Sequence, residues 1–242
     1  MSENIHPQAI VDPKAKIGKN VTIGPWTMIG PDVEIGDGTW VGPNVVINGP
    51  TQIGKNNKIF QFASVGEDPQ DMKYKGEKTS LVIGDGNTIR EFVSIHRGTV
   101  QEEGVTRIGN NNLFVTYSHI AHDCVIGNNI IIGHHVGLAG HVVVDDYAIL
   151  SAYAAVHQFV RIGAYSFLAR LTMLGRDLLP YVMAAGGNDA GPVSINVVGL
   201  QRHGYKQEAI MALRRAYKIL YRQGLKLDEA RQHLVDMTKE FP

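Results

Sequence analysis

The chain of 242 residues contains one cysteine and carries no net charge, with 23 lysines and arginines against 23 aspartates and glutamates. A single cysteine excludes a disulfide framework and fits a reducing compartment. Cys124 falls at a small-residue position of the repeat described below, so a buried structural thiol is expected rather than a nucleophile. The even balance leaves no basic excess, and no nucleic-acid partner is expected. No apolar run approaches the ~20 residues of a membrane span. The start, MSENIHPQAIV, lacks the basic stretch and apolar core of a signal peptide. The expectation is a cytoplasmic protein without integral membrane association. Histidine is also scarce at first, with only His6 in the first 90 residues.

What the chain does have is a period of six. Val11, Ile17, Ile23, Ile29, Ile35, Val41, Ile47, Ile53, Ile59 and Val65 recur at that interval, most of them followed by glycine. Neither a helix at 3.6 nor a strand at two produces it; a parallel β-helix of hexapeptide repeats does. Three hexads make a triangular coil of 18 residues, so positions 18 apart stack. Ile83, Ile89 and Ile95 keep the register, and a second run extends from Ile108 through Phe114 and Ile120 to Leu174. Small or β-branched residues such as Ala15, Val21, Thr27 and Val33 precede each aliphatic by two positions, and corners carry Pro25, Pro31, Asp37, Pro43 and Asn44. Each aliphatic enters the prism interior, where burial stabilises by roughly 1.5–3 kcal/mol. Only neighbouring coils touch, so the ends need caps. The fold class is mainly β, with an α-helical domain after the coils.

Two segments break the period, 67–80 and 98–107. A β-helix can omit such insertions, so polar loops leaving an edge are candidate functional elements; tolerated surface insertion is the plainer alternative. The repeat ends near Leu174, and 180–199 reads as an irregular connector. Helical spacing follows: Ile210, Leu213, Tyr217, Leu220 and Tyr221 share a face, with Gly224 as a stop. A second helix from Leu227 would bury Ala230, Leu234, Met237 and Phe241. The chain thus divides into a β-helix over 1–187 and a helical domain over 188–242. Arg214, Lys218 and Arg222 share one helix face, either a solvated surface or a dock for an acidic protein or a nucleotide.

Histidine then crowds the middle coils: His96, His119, His122, His134, His135, His141 and His157. Stacking places His122 against Gly140, Asp123 against His141 and Ala139 against His157. His122 sits at a corner and faces outward. Two chemistries fit. One imidazole, oriented by Asp123, could act as a general base, with the Gly140 N–H stabilising an oxyanion. Alternatively, several histidines could hold Zn²⁺. Spacing does not choose between them.

Six segments carry a family resemblance: QFASVGEDPQDMKYKGE (61–77), IREFVSIHRGT (89–99), HIAHDC (119–124), LAGHVVVDD (138–146), AVHQF (155–159) and RHGYKQEAIMALRRAYKILYR (202–222). The chain resembles the UDP-N-acetylglucosamine O-acyltransferases, which open lipid A biosynthesis. The resemblance implies a left-handed β-helix and a homotrimer with active sites between subunits. It implies transfer of an (R)-3-hydroxyacyl group from acyl carrier protein to the 3-hydroxyl of UDP-GlcNAc, with no metal or diffusible cofactor. It makes His122 the base, Asp123 its orienting partner and Gly140 the oxyanion donor. His96, His119, His141 and His157 line the cleft. Gln70, Asp71 and Lys73 grip the sugar and its phosphate, Gln158 touches substrate, and Asn196 and Arg202 meet the nucleotide. Arg214, Arg215 and Lys218 become a landing site for the carrier protein.

Some positions depart from the family pattern. Arg170 replaces a glycine that is common at the acyl ruler, near Met173, so a chain shorter than C14 is expected. Val198 stands for an acidic residue and His203 for a second arginine, so nucleotide binding is expected to be weaker or differently organised. The chain ends earlier than many members, so part of the terminal cap is expected to be missing. Competing readings are another hexapeptide sugar acyltransferase (including one acting on a 3-amino sugar), a zinc enzyme similar to the γ-class carbonic anhydrases, and a purely structural rod.

Overall fold

Every hexad forms a short strand, and three strands complete a coil. The computed structural model describes residues 4–188 and 190–238; Phe241 lies outside them. Strands of two to five residues assemble into three sheets that form the faces of a triangular prism. The first sheet has nine strands, from Ile10–Val11 to Met173–Leu174, and the second has eight, from Lys16–Ile17 to Arg161–Ile162. The third has ten, beginning at Thr22–Ile23. The chain passes from third sheet to first, first to second, and second to third, so each edge of the prism recurs once per coil.

Partners are parallel and 18 residues apart through most of the rod, as in Ile120 with Leu138 and Ile126 with Val144. The two insertions leave this register intact. Ser64 pairs with Ser94, thirty residues on, and Ser94 with His119, twenty-five on. The first loop departs at a bulge between Val65 and Glu67. Gly66 makes the bulge possible: its φ is +79°, and a Cβ there would lie 2.2 Å from the Asn48 carbonyl oxygen.

The repeating aliphatics point inward as their period requires. Ile23, Val41, Ile59, Ile89, Phe114, Ile132 and Leu150 are at most 1% exposed. The residues two positions earlier are buried too, and some are polar. Thr27 Oγ1 donates to the Gly42 carbonyl at 2.6 Å and accepts from Val45 N–H at 3.2 Å. Near the edge between second and third sheets, Asn57, Asn87 and Asn112 form an interior ladder. Each side-chain oxygen accepts from a backbone N–H one coil on, and each amide donates to a glycine carbonyl. These asparagines persist in the interior because each both accepts and donates a hydrogen bond through its side chain. Cys124 is buried as expected, and burial pushes its thiol up to about 12.

The segment 180–199 is not the irregular connector expected. Strand Val182–Ala185 adds parallel to Phe167–Leu168, and strand Gly191–Ile195 returns antiparallel to it. Alternating burial of Val182 and Ala184 supplies the missing periodicity, too short to stand out in the sequence. Three helices follow: α1 (Val197–Arg202), α2 (Gln207–Tyr221) and α3 (Leu227–Thr238). Leu200, Ile210 and Tyr217 join the core that runs up the prism, so α1 and α2 cover its last strands. Among the described residues, no helix is long and apolar enough to cross a membrane.

The asparagine ladder sets a stability test. Asn87→Leu keeps the branched shape but leaves the Asn112 N–H without its acceptor and the Gly109 carbonyl without its donor. Chemical denaturation should show a loss of about 2–4 kcal/mol. A loss below about 0.5 kcal/mol would mean that the ladder adds little beyond packing.

Candidate active site

The edge between first and second sheets gathers both loops and the corners His122–Asp123, Gly140–His141 and Gln158–Phe159. Asp123, His141 and Phe159 all hold left-handed φ values, of 59°, 64° and 67°. Backbone bonds tie the corners together: His141 N–H donates to His122 O, and Phe159 N–H to Gly140 O, each at 3.1 Å.

His122 and Asp123 form a dyad. His122 Nδ1 lies 2.8 Å from Asp123 Oδ2, so an ionised carboxylate fixes the proton on Nδ1 and leaves Nε2 with its lone pair free. Thr99, from the second loop, donates to the same carboxylate through its N–H at 2.8 Å and its hydroxyl at 2.6 Å. Thr106 Oγ1 accepts from the Asp123 N–H at 2.8 Å. Burial pushes the Asp123 carboxyl up, but the hydrogen bonds from His122 and Thr99 outweigh it and hold the group below its usual range. Gly140 packs on the imidazole: a Cβ there would meet His122 Cε1 at 2.5 Å. Its N–H takes no part in the backbone ladder.

His141 stacks on Phe159, with centroids 4.4 Å apart, and meets His122 edge-on at 5.1 Å. His119 lies on the outer face of the first sheet, its Nδ1 2.7 Å from Ser94 Oγ and its ring edge-on to His96. Burial, then the nearby His96 and His122, push its pKa down to about 4. His96 Nδ1 donates to the Asp68 carbonyl. The buried Arg97 holds Gly66 O at 2.6 Å, Tyr74 OH at 3.2 Å and the Asp68 carboxylate, so these two residues anchor the first loop.

The remaining sequence candidates divide by position. On the first loop, Asp71 Oδ1 accepts from Lys73 N–H at 2.9 Å, and the Gln70 and Lys73 side chains are exposed. His157 and Gln158 are exposed on the same edge as the dyad. Met173 points outward from the first sheet in a column with Ala155, Gly137 and His119, and Arg170 is exposed at the adjoining edge. Asn196 and Arg202 lie elsewhere. With Arg214, Lys218 and Arg222 they line a cavity of about 670 Å³ over the third sheet, floored by Ile149, Phe167 and Met183. Asn196 also caps α1, accepting from Gly199 N–H at 3.1 Å and donating to Tyr165 O at 2.9 Å. Arg215 is not among the residues lining that cavity.

His134 and His135 do not join the cluster. They pack against Tyr117 and Tyr153 at the edge between third and first sheets, His135 stacked on Tyr117 and His134 edge-on to Tyr153. Thr99, Thr106, Arg97 and Phe159 were missed in the sequence; only the HRGT and HQF segments hinted at three of them. Donor atoms of His122, Asp123 and His141 all lie within 4.8 Å of one another, a spacing a cation could use. Both Asp123 oxygens already accept hydrogen bonds, an arrangement that suits proton transfer.

A parallel prism of hexads with an outward His–carboxylate dyad belongs to the hexapeptide-repeat transferases, and the family model "Bacterial transferase hexapeptide (six repeats)" matches 32–59. A second model, "Udp N-acetylglucosamine O-acyltransferase; Domain 2", matches 177–242. The acyl-[acyl-carrier-protein]–UDP-N-acetylglucosamine O-acyltransferase of Halorhodospira halophila is 56% identical over 95% of this chain and 89% of its own. That of Pseudomonas aeruginosa is 54% identical over 98% and 92%. Among solved structures, LpxA of Acinetobacter baumannii superposes with TM-score 0.93 at 47% identity, covering 96% of this chain and 89% of that one. The Francisella novicida enzyme gives 0.95 at 47% identity, covering 98% and 87%. The chain belongs to the UDP-N-acetylglucosamine O-acyltransferase family, and its rod is a left-handed parallel β-helix.

Two outcomes follow from this geometry. Gly140→Ala should displace His122 and lower turnover at least about 100-fold while circular dichroism stays unchanged; normal turnover would show that the imidazole can shift freely. His119 should stay neutral in a histidine NMR titration until pH nears 4. A histidine held neutral by folding contributes stability that is present above about pH 6.5 and lost as pH falls toward 4, because the unfolded chain takes the proton first. The melting temperature should therefore fall over that window, and less steeply in His119→Asn; identical slopes would contradict the assignment.

Proposed function

We propose that the protein transfers an (R)-3-hydroxyacyl group from acyl carrier protein to the 3-hydroxyl of UDP-N-acetylglucosamine, the first step of lipid A biosynthesis, in the cytoplasm. The observation that carries this reading is the His122–Asp123 dyad, with Gly140 packed on its imidazole at the edge where both loops project. His122 Nε2 takes the proton of the sugar hydroxyl as its oxygen attacks the thioester carbonyl. The Gly140 N–H stabilises the tetrahedral oxyanion. Collapse expels the carrier thiolate, which recovers the proton from the His122 imidazolium. A thioester is already activated, so alignment and one proton transfer suffice without a covalent enzyme intermediate. General-base help contributes about 10²–10⁴ in rate.

His96, His119, His141, His157 and Gln158 line the sugar site in this reading, and Gln70, Asp71 and Lys73 close over it from the first loop. Asn196 and Arg202 hold the nucleotide in the cationic cavity, and Arg214, Arg215 and Lys218 receive the acidic carrier. That cavity lies over the third sheet, the face opposite the edge that bears the dyad. One chain therefore presents the two halves of the site in different directions. A second copy can set its cavity beside the first chain's dyad, and a closed ring of three satisfies every edge. This supports a homotrimer with sites between subunits.

The acyl chain has a path along the outer face of the first sheet. Gly137 and Ala155 leave a shallow track between His119 and Met173, and Arg170 stands at the adjoining edge. A long cation there favours a chain shorter than C14.

Incubation with UDP-GlcNAc and C10, C12 and C14 hydroxyacyl carrier proteins, read by mass spectrometry, tests both claims. A C10 or C12 product is expected, and a C14 preference would remove the ruler. His122→Ala should lose at least about 100-fold in turnover and keep the size of a trimer by light scattering. Near-normal turnover in that variant would sink the mechanism.

A further inference from the structure

One polar atom beside the dyad is left without a partner. His141 Nδ1 is buried and forms no hydrogen bond. Its ring is held on several sides, stacked on Phe159 and edge-on to His122, and its backbone is tied to the His122 carbonyl. Two carboxylate oxygens face Nδ1, Asp123 Oδ2 and Glu102 Oε1, each at 3.8 Å. With His122, these are the titratable groups around it. Asp123 cannot turn toward His141, because its oxygens already accept from Thr99 and His122.

Glu102 is placed differently. It sits in the second loop, its side chain is 53% exposed, and its carboxylate faces His141. A rotamer change of about 1 Å brings its oxygen to hydrogen-bond distance. Its neighbour Glu103 pairs with Arg107 at 3.3 Å.

We propose that Glu102 is a positioning residue that closes on His141 Nδ1 and forms a second His–carboxylate pair beside the first. With the proton held on Nδ1, His141 turns an Nε2 lone pair into the cleft, where it accepts from an N–H or O–H of the acceptor sugar. The second loop then serves both histidines, Thr99 orienting the Asp123 partner of His122 and Glu102 orienting His141. The inference rests on the proposed reaction for the identity of the acceptor, but the geometry of the pair does not.

The test compares Glu102→Ala, Glu102→Gln and Glu103→Ala. Glu102→Ala should raise KM for UDP-GlcNAc about five- to tenfold with little change in kcat, as the loss of one ground-state hydrogen bond requires. Glu102→Gln keeps an accepting oxygen and should stay near wild type, as should Glu103→Ala. Imidazole ¹⁵N NMR of the free protein should show His141 as the Nδ1–H tautomer, shifting toward a mixture in Glu102→Ala. That shift supports the pair even if UDP-GlcNAc proves not to be the acceptor, a result that would fail the proposed reaction alone. An unchanged tautomer overturns the proposal, whatever KM does.

Discussion

A coil of fixed length is the constraint on which everything else in this protein rests. Each strand between the end coils hydrogen-bonds to the coil before and the coil after, so a slip of one position would turn the inward row of a sheet outward. The loops obey this limit. Thr88 pairs back to Lys58 and forward to Leu113, and all three sheets resume in register after both excursions. Extra chain is accommodated only where it leaves an edge and returns to the same ladder. Both excursions use the same edge, between first and second sheets, so their polar groups converge on one stretch of corners.

The corners themselves are strained in a uniform way. Nineteen non-glycine residues among those described hold φ between 54° and 69°, a region that disfavours L-residues by roughly 1–2 kcal/mol each. Against one such residue, each hexad buries an aliphatic worth roughly 1.5–3 kcal/mol and a second inward side chain, so the strain is outweighed at every corner. Asp123 and His141 are two of the nineteen. Their conformation is therefore a property of the rod and not strain special to the candidate site. The corner that carries each group is held between ladders on both sides.

The parts of this arrangement that were legible in the sequence are those that repeat. Inward aliphatics recur because three ladders demand the same residue type at the same slot. The dyad was legible because His122 and Asp123 are adjacent at a corner and Gly140 follows 18 residues later. Thr99 and Glu102 were not, since no period encodes the return path of an insertion. The interior asparagines stayed hidden for a related reason: Asn57, Asn87 and Asn112 occupy slots for small residues, and the loops break their spacing. Histidine crowding misled in one respect. Consecutive hexads visit different edges, so His134 and His135, close to His141 in sequence, lie at another edge among tyrosines.

The charges at this edge are balanced by two different means. A base that must hold a proton midway through a reaction needs a negative neighbour and no positive one. Asp123 is kept ionised against burial by donors from His122 and Thr99, whereas His119 is kept neutral chiefly by burial itself. If His119 were cationic, it would oppose protonation of His122, just as His122 lowers the pKa of His119. Hydrogen bonds thus preserve one charge and desolvation suppresses the other, within a few corners of a single edge. In the proposed reaction, this leaves His122 free to accept the sugar's proton with Asp123 as its electrostatic partner. The second loop contributes to that balance, because both Thr99 donors act with His122 against burial at Asp123.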